Sequence, residues 1–373
     1  MKRNIYRNTM MLALAAMIFG LVSGLSSSSA WAASGKPIAT YVSPEKIEFI
    51  SYSKYWNQSK LKALYAELMK NLHGKELNYL GKVILSSEDK EGELGIANMS
   101  YSWTEDDLSD IVMDEPTEIT LYGANSNKTV ESMSSTLSHE YGHHFTYYWL
   151  IAKEHKLPSD SNAKWASIRG IEGYPVLFSE DSSEPEYTHY WDSAEIMADD
   201  YMALFGSPNA KLSMVNSLRT DDGKGFYGEI ENEAIPSAMT LESVRSYWLK
   251  LSGLKDPVPL VFKEPKLNKI QAVESDDGGF DYKLTYEAAS ANTTVAQRLQ
   301  YSVYWTYEDD GEETFDYTEM TTGKRSITIS GGLPEAELTF TVYAYDPMTK
   351  QYVYARPVVY DLSDPENPVK VGR

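Results

Sequence analysis

Hydrophobic residues recur along this chain with two different periods, and the change falls near residue 265. Before it the spacing is mostly helical. Leu61, Leu64, Tyr65, Leu68, Met69 and Leu72 share one face of a predicted helix that Gly74 ends. Val130, Met133, Leu137, Tyr141, His144 and Tyr148 form a longer stripe, which predicts a helix from about Asn127 to about His155 with Asn127 as its N-cap and Glu131 in the first turn. A third helix is expected to begin at Asp192 or Ser193 and stop at Gly206, with Pro208 just beyond; a fourth spans Thr240 to Leu251. Strand-like runs lie at Leu77–Leu85, Ala97–Trp103 and Glu118–Gly123. Ile119–Gly123 is the expected edge strand, which an extended peptide could join by backbone hydrogen bonds. Trp165 to Trp191 is rich in Gly, Pro, Ser and acidic residues and reads as a loop-rich insertion facing a substrate.

Beyond residue 265 the period becomes two. Tyr301, Val303, Trp305 and Tyr307 alternate with Ser302, Tyr304 and Thr306, and Leu338, Phe340, Val342 and Ala344 alternate likewise. About seven short strands joined by Gly- and Asp-rich turns predict an all-β sandwich of immunoglobulin or fibronectin type III type, with Trp305 on a central strand. Its many tyrosines are expected as sheet surface and core rather than as a binding platform, and no partner for this region can be named. Lys255-Asp256-Pro257-Val258-Pro259 and Pro265 mark a linker at 257–266, between an α+β domain at 34–256 and the β-domain at 267–373.

The first 33 residues read as a secretory signal peptide: Lys2, Arg3 and Arg7, then an apolar run from Met10 to Leu25, then the small-x-small cleavage site Ala30-Trp31-Ala32. The run is too short and too interrupted by Gly20 and Gly24 for a stable membrane anchor, so an extracellular protein without membrane insertion is expected. The chain has no cysteine, which excludes disulfides, a thiol nucleophile and a lipoprotein anchor. Its formal charge of −20 becomes −23 without the leader, 31 basic against 54 acidic residues, and argues against nucleic-acid partners.

The candidate chemistry lies in His139-Glu140-Tyr141-Gly142-His143. On a helix, positions i and i+4 share a face, so His139 and His143 can bind one metal ion while Glu140 reaches a water on it. Glu195 and Asp199 repeat the spacing on the next helix. A catalytic zinc site takes three protein ligands and keeps one position open; Glu195 can be the third ligand, and Asp199 can accept the spare ring N–H of a ligating histidine. His144 points too far round the axis to join the site and is expected in the core or behind the ligands.

His139-Glu140-x-x-His143 followed by Glu195-x-x-x-Asp199 resembles the gluzincin zinc metallopeptidases, and the text Glu-Tyr-Gly-His-His-Phe is closest to the anthrax lethal factor catalytic domain and secreted Pro-Pro endopeptidase group. The resemblance implies a zincin-like α+β catalytic domain, Zn2+ on His139, His143 and Glu195, Glu140 as general base, and hydrolysis of a peptide or protein substrate. Those relatives carry a tyrosine seven residues before the third ligand, where this chain has Thr188. The donor to the oxyanion is therefore expected from Tyr190 or Tyr187, with Tyr190 slightly favoured because it lies nearer the ligand helix; His189 is a further candidate. Two readings compete with a secreted endopeptidase. One is a secreted binding or adhesion protein with a structural or relict zinc site, against which Glu140 speaks, and the other a hydrolase of a non-peptide amide or ester.

Overall fold

The computed structural model describes residues 35–104, 108–179, 187–226, 232–255, 261–276 and 278–372. The leader at 1–33 and the linker residues 257–260 lie outside them. The first half is a five-stranded sheet covered by helices. Its strands are β1 (Ala39–Val42), β2 (Glu48–Ser51), β3 (Leu80–Leu85), β4 (Gly95–Ser102) and β5 (Val112–Leu121), in spatial order β1-β2-β3-β5-β4. β2, β3 and β5 run parallel, while β1 and β4 close the two edges antiparallel. This corrects the expected edge. The Ile119 stretch belongs to β5, which is interior because Ile119 and Leu121 are fully buried beneath helices and need neighbours on both sides. The edge beside it is β4, whose residues are half-buried or exposed throughout. The expected strand at Leu77–Leu85 is also shorter than predicted: a 3-10 turn at Lys75–Tyr79 precedes β3 and tucks Glu76 inward.

Helix α1 (Gln58–Leu68) buries Leu61, Leu64 and Leu68 against this sheet. Helix α2 (Val130–Glu154) starts two residues later than expected, because Thr129 rather than Asn127 caps it, in a reciprocal pair with Ser132. It ends where His155 turns left-handed at φ 54°. The expected stripe is inside at Met133, Leu137, Tyr141 and His144, but so is the opposite side, because a second layer of helices covers it. That layer comprises α3 (Lys164–Arg169), α4 (Ser193–Phe205), α5 (Pro208–Ser217) and α6 (Glu242–Ser252). α4 lies so close to α2 that a Cβ on Gly142 would stand 2.8 Å from the Ala198 carbonyl oxygen. Glycine is what permits this crossing.

Behind α2, the buried Glu76 gathers a polar cluster. Its carboxylate accepts from the Gly74 amide (2.6 Å), the Tyr141 hydroxyl (2.9 Å) and the Trp149 indole (2.9 Å). Its carbonyl accepts from His144 Nε2 at 2.8 Å, while His144 Nδ1 accepts from Thr117 Oγ1 at 2.8 Å. His144 is thus a core residue, and burial lowers its pKa to about 4, so it is a neutral imidazole.

The second half is built mainly of β-strands, as the period-two pattern predicts, with one short helix, α7 (Thr293–Arg298). β6 (Leu267–Glu274), β7 (Phe280–Tyr286) and β11 (Ser326–Ile329) form a three-stranded sheet ordered β11-β7-β6. The second sheet contains β8 (Gln300–Asp309), β9 (Glu312–Tyr317), β10 (Thr321–Thr322), β12 (Glu337–Asp346), β13 (Gln351–Tyr354), β14 (Val358–Asp361) and β15 (Val369–Gly372). β8 and β12 are its central antiparallel pair, and Trp305 on β8 packs against Phe340 on β12. Part of the tyrosine-rich face has a role the sequence did not suggest. Tyr343, Tyr345 and Tyr354 are buried with Val215, Leu218 and Phe226 from the first half. Phe226 stacks on Tyr343, and its amide donates to Ser302 Oγ at 3.2 Å. The two halves are joined along a packed seam.

Candidate metal centre

His139 and His143 lie one turn apart on α2, and Glu195 projects from the first turn of α4, whose N-cap is Asp192. The Nε2 atoms of His139 and His143 stand 3.0 and 3.2 Å from the same Glu195 carboxylate oxygen, Oε2. One ligand atom from each of the three residues lies within 4.8 Å of the others. The ligand atoms of a tetrahedral zinc with bonds of about 2.0–2.1 Å are about 3.3 Å apart, so donor types and spacing both fit a metal ion. His139 Nδ1 lies 2.9 Å from Asp199 Oδ1. Because a carboxylate only accepts, Nδ1 carries the proton in this bond, which leaves Nε2 as the ring nitrogen that would ligate a metal. The group is buried and could hold a metal ion.

The electrostatics suit a cation. Burial works against charge on His139, yet hydrogen bonds to Asp199 and Glu195 hold its pKa well above the ordinary value. The Glu195 carboxyl is held well below its usual range; burial opposes this, and the facing His143 and His189 outweigh it. Glu140, one residue past His139, is raised, chiefly by burial. It fills a notch in the β4 edge: a Cβ on Gly95 would lie 2.7 Å from Glu140 Oε1.

The other carboxylates near Glu195 are committed elsewhere. Asp200 pairs with the Arg169 guanidinium at 2.7 Å inside the core, and Asp192 accepts from the Ala194 amide at 2.7 Å. Neither competes with Glu195 as third ligand. Tyr187 and Tyr190 flank His189 on the segment that leads into α4. The Tyr187 hydroxyl bonds Asp192, while the Tyr190 ring stands edge-on to Trp191 at 5.0 Å. The residue of this segment that meets the ligand group is His189, whose Nε2 is 3.0 Å from Glu195 Oε2. Sequence reasoning placed it behind the tyrosines, and only the turn at His189–Trp191, which aims the ring inward, brings it forward. Glu93 and Tyr122 were not anticipated at all. Burial, Glu93 and then Glu140 push the Tyr122 phenol up to about 12. Nothing in their spacing marks them, because β4 and β5 bring them to Glu140 from distant stretches.

No protein-family model and no curated protein matches this chain. Among the described residues, no helix is long and apolar enough to cross a membrane.

Proposed function

We propose that this chain is a secreted zinc-dependent endopeptidase of the gluzincin kind, with a zincin-like catalytic domain followed by a fibronectin type III-like sandwich. The observation that carries the reading is the convergence of His139, His143 and Glu195, with Glu140 beside them and Asp199 behind His139. A purely structural metal site has no use for a buried carboxylate next to its ligands, and burial raises the pKa of this one, the direction that favours taking up a proton. A zinc ion held by the three side chains supplies Lewis acidity, polarising a carbonyl and lowering the pKa of a water.

The remaining work falls to the chain's own residues. Glu140 takes the proton of the attacking water and returns it to the leaving nitrogen. Asp199 keeps His139 in the tautomer that ligates. His189, rather than Tyr187 or Tyr190, is the proposed donor to the oxyanion, on the strength of its contact with Glu195. The open β4 edge beside Glu140 offers backbone groups to an extended peptide. The order of the two C-terminal sheets, β11-β7-β6 against β8, β12 and β14, supports the fibronectin type III assignment. Secretion rests on the leader-like first 33 residues.

The test is cleavage of a peptide library by the mature chain, with and without chelator, beside Glu140→Gln. We expect chelator-sensitive cleavage, about one zinc per chain, and a variant that keeps its zinc while losing nearly all turnover. Zinc-replete protein that cuts no peptide, or a Glu140→Gln variant as active as the parent, refutes the reading.

A further inference from the structure

The segment His189–Trp191 forms one wall of the metal centre, and the C-terminal sheets reach it by two routes. In the first, the Tyr354 hydroxyl on β13 donates to the Asn232 carbonyl at 3.1 Å, and Asn232 Nδ2 donates to the Tyr190 carbonyl at 2.7 Å. In the second, Arg356, just past β13, is fixed by Glu264 at 3.0 Å and donates from Nη1 to the Tyr174 hydroxyl at 3.4 Å. The Tyr174 ring in turn stacks on Trp191 at 6.1 Å and 28°. One route holds the backbone at Tyr190 and the other the side chain of the next residue.

The segment has little regular structure of its own to hold it. It is a single 3-10 turn, tied by the bond from the Leu177 amide to the Trp191 carbonyl at 2.8 Å and from the Ser193 amide to the Leu177 carbonyl at 3.0 Å. Yet it carries His189 and runs directly into Asp192, the cap of the helix bearing Glu195. Burial and then the charge of Asp199 raise the pKa of Tyr352 on β13, so the field of the residue behind His139 reaches this strand.

We infer that the C-terminal β-region is a working part of the metal centre, bracing the His189–Trp191 wall through the positioning residues Asn232 and Arg356. The β-region is thus not a separable appendage. Its pairing with the first half sets how firmly His189 faces Glu195, while the α2 ligands keep their own support. The inference rests on the proposed site for its purpose, but not for its measurement.

Hydrogen exchange on the full chain tests it. Asn232→Ala and Arg356→Ala should each speed exchange at Trp191, Asp192 and Ser193 by about tenfold or more. The amides of α2 should stay protected, and the visible spectrum of a cobalt-loaded sample should be unchanged. Arg298→Ala is the control. It breaks an ion pair with Asp346, which faces the opposite end of β13 from Tyr354, and should leave exchange at 191–193 as in the parent. Should Arg356→Ala disturb the sheets themselves, Asn232→Ala, which removes no side chain from them, decides alone. Unchanged exchange at 191–193 in Asn232→Ala, or equal loosening in Arg298→Ala, overturns the inference. These outcomes do not depend on peptide cleavage, so they are read apart from the endopeptidase proposal.

Discussion

Gly142→Ala offers a sharp test of how the site is held together. The added methyl would stand 2.8 Å from the Ala198 carbonyl oxygen, 3.0 Å from Ala198 Cα and 3.2 Å from Tyr201 Cβ. The two nearest atoms are α4 backbone, so no side chain can swing aside. With ordinary contact at about 3.5 Å, α4 must retreat by roughly 0.7 Å. Ala198 lies between Glu195 and Asp199 on that helix, so both move with it. Metal–ligand distances hold to within about 0.2 Å, which a shift of this size exceeds. Folding stability is a poor readout here. Overpacking costs about 1–3 kcal/mol, and replacing a helical glycine with alanine returns up to about 1 kcal/mol. Metal affinity has no such offset and should fall about 10- to 100-fold, as when a residue that orients a ligand is lost. The assay is competition for zinc against a chelator of known affinity. Adding Ala198→Gly should not rescue binding, because the clash is with backbone. If Gly142→Ala bound zinc within about twofold of the parent, the α2–α4 contact would not be what fixes Glu195.

Gly95→Ala should spare the metal but displace the Glu140 carboxylate, since its methyl meets both Glu140 Oε1 and Thr136 Cγ2 at 2.7 Å; turnover should drop about 10²-fold with zinc content unchanged. His189→Phe should lower kcat about 10²-fold, the loss expected for one oxyanion donor, and more than Tyr187→Phe or Tyr190→Phe does; steady-state kinetics on zinc-loaded protein would show the reverse order if a tyrosine is the donor. His144 also makes stability depend on pH. Its folded pKa of about 4 lies below the ordinary 6.5, so its contribution is complete above pH 6.5 and is lost as pH falls toward 4, by about 3 kcal/mol in all. Denaturant unfolding of parent and His144→Gln should therefore differ more at pH 7.5 than at pH 4, and a constant difference would refute the assignment.

The meeting of His139, His143 and Glu195 was legible because the spacing is local. His139 and His143, like Glu195 and Asp199, are set by the pitch of single helices, and the structure brings those two pairs together. The ends of α2 were legible to within a few residues, and Trp305 on a central strand to the residue. What stayed hidden depends on contacts between distant segments. The edge strand was misassigned because a place in the chain just before α2 does not reveal pairing order, and only pairing order decides which strand is outside. His189 was ranked behind its neighbours because an irregular turn has no periodicity to aim a side chain. The tyrosines of β12 and β13 read as ordinary sheet residues, since nothing along the strand reveals that α5 and Phe226 will cover them.

The Glu76 cluster has a mechanical meaning for the helix in front of it. A hydrophobic stripe tells a helix which side to bury but tolerates rolling about its axis, since methyl groups slide past one another at small cost. α2 is buried nearly all round, and on the side away from α4, where no glycine contact marks one orientation, an apolar stripe alone would set its roll less sharply. Tyr141, His144 and Trp149 remove that freedom, because each must point a hydrogen at one particular oxygen of Glu76. Advancing the helix by one residue would turn it by about 100° and break all three bonds. Glu76 thus acts as the detent of a dial. The bearing at which His139 and His143 meet Glu195 is set from the far side of the helix, by residues that touch no ligand.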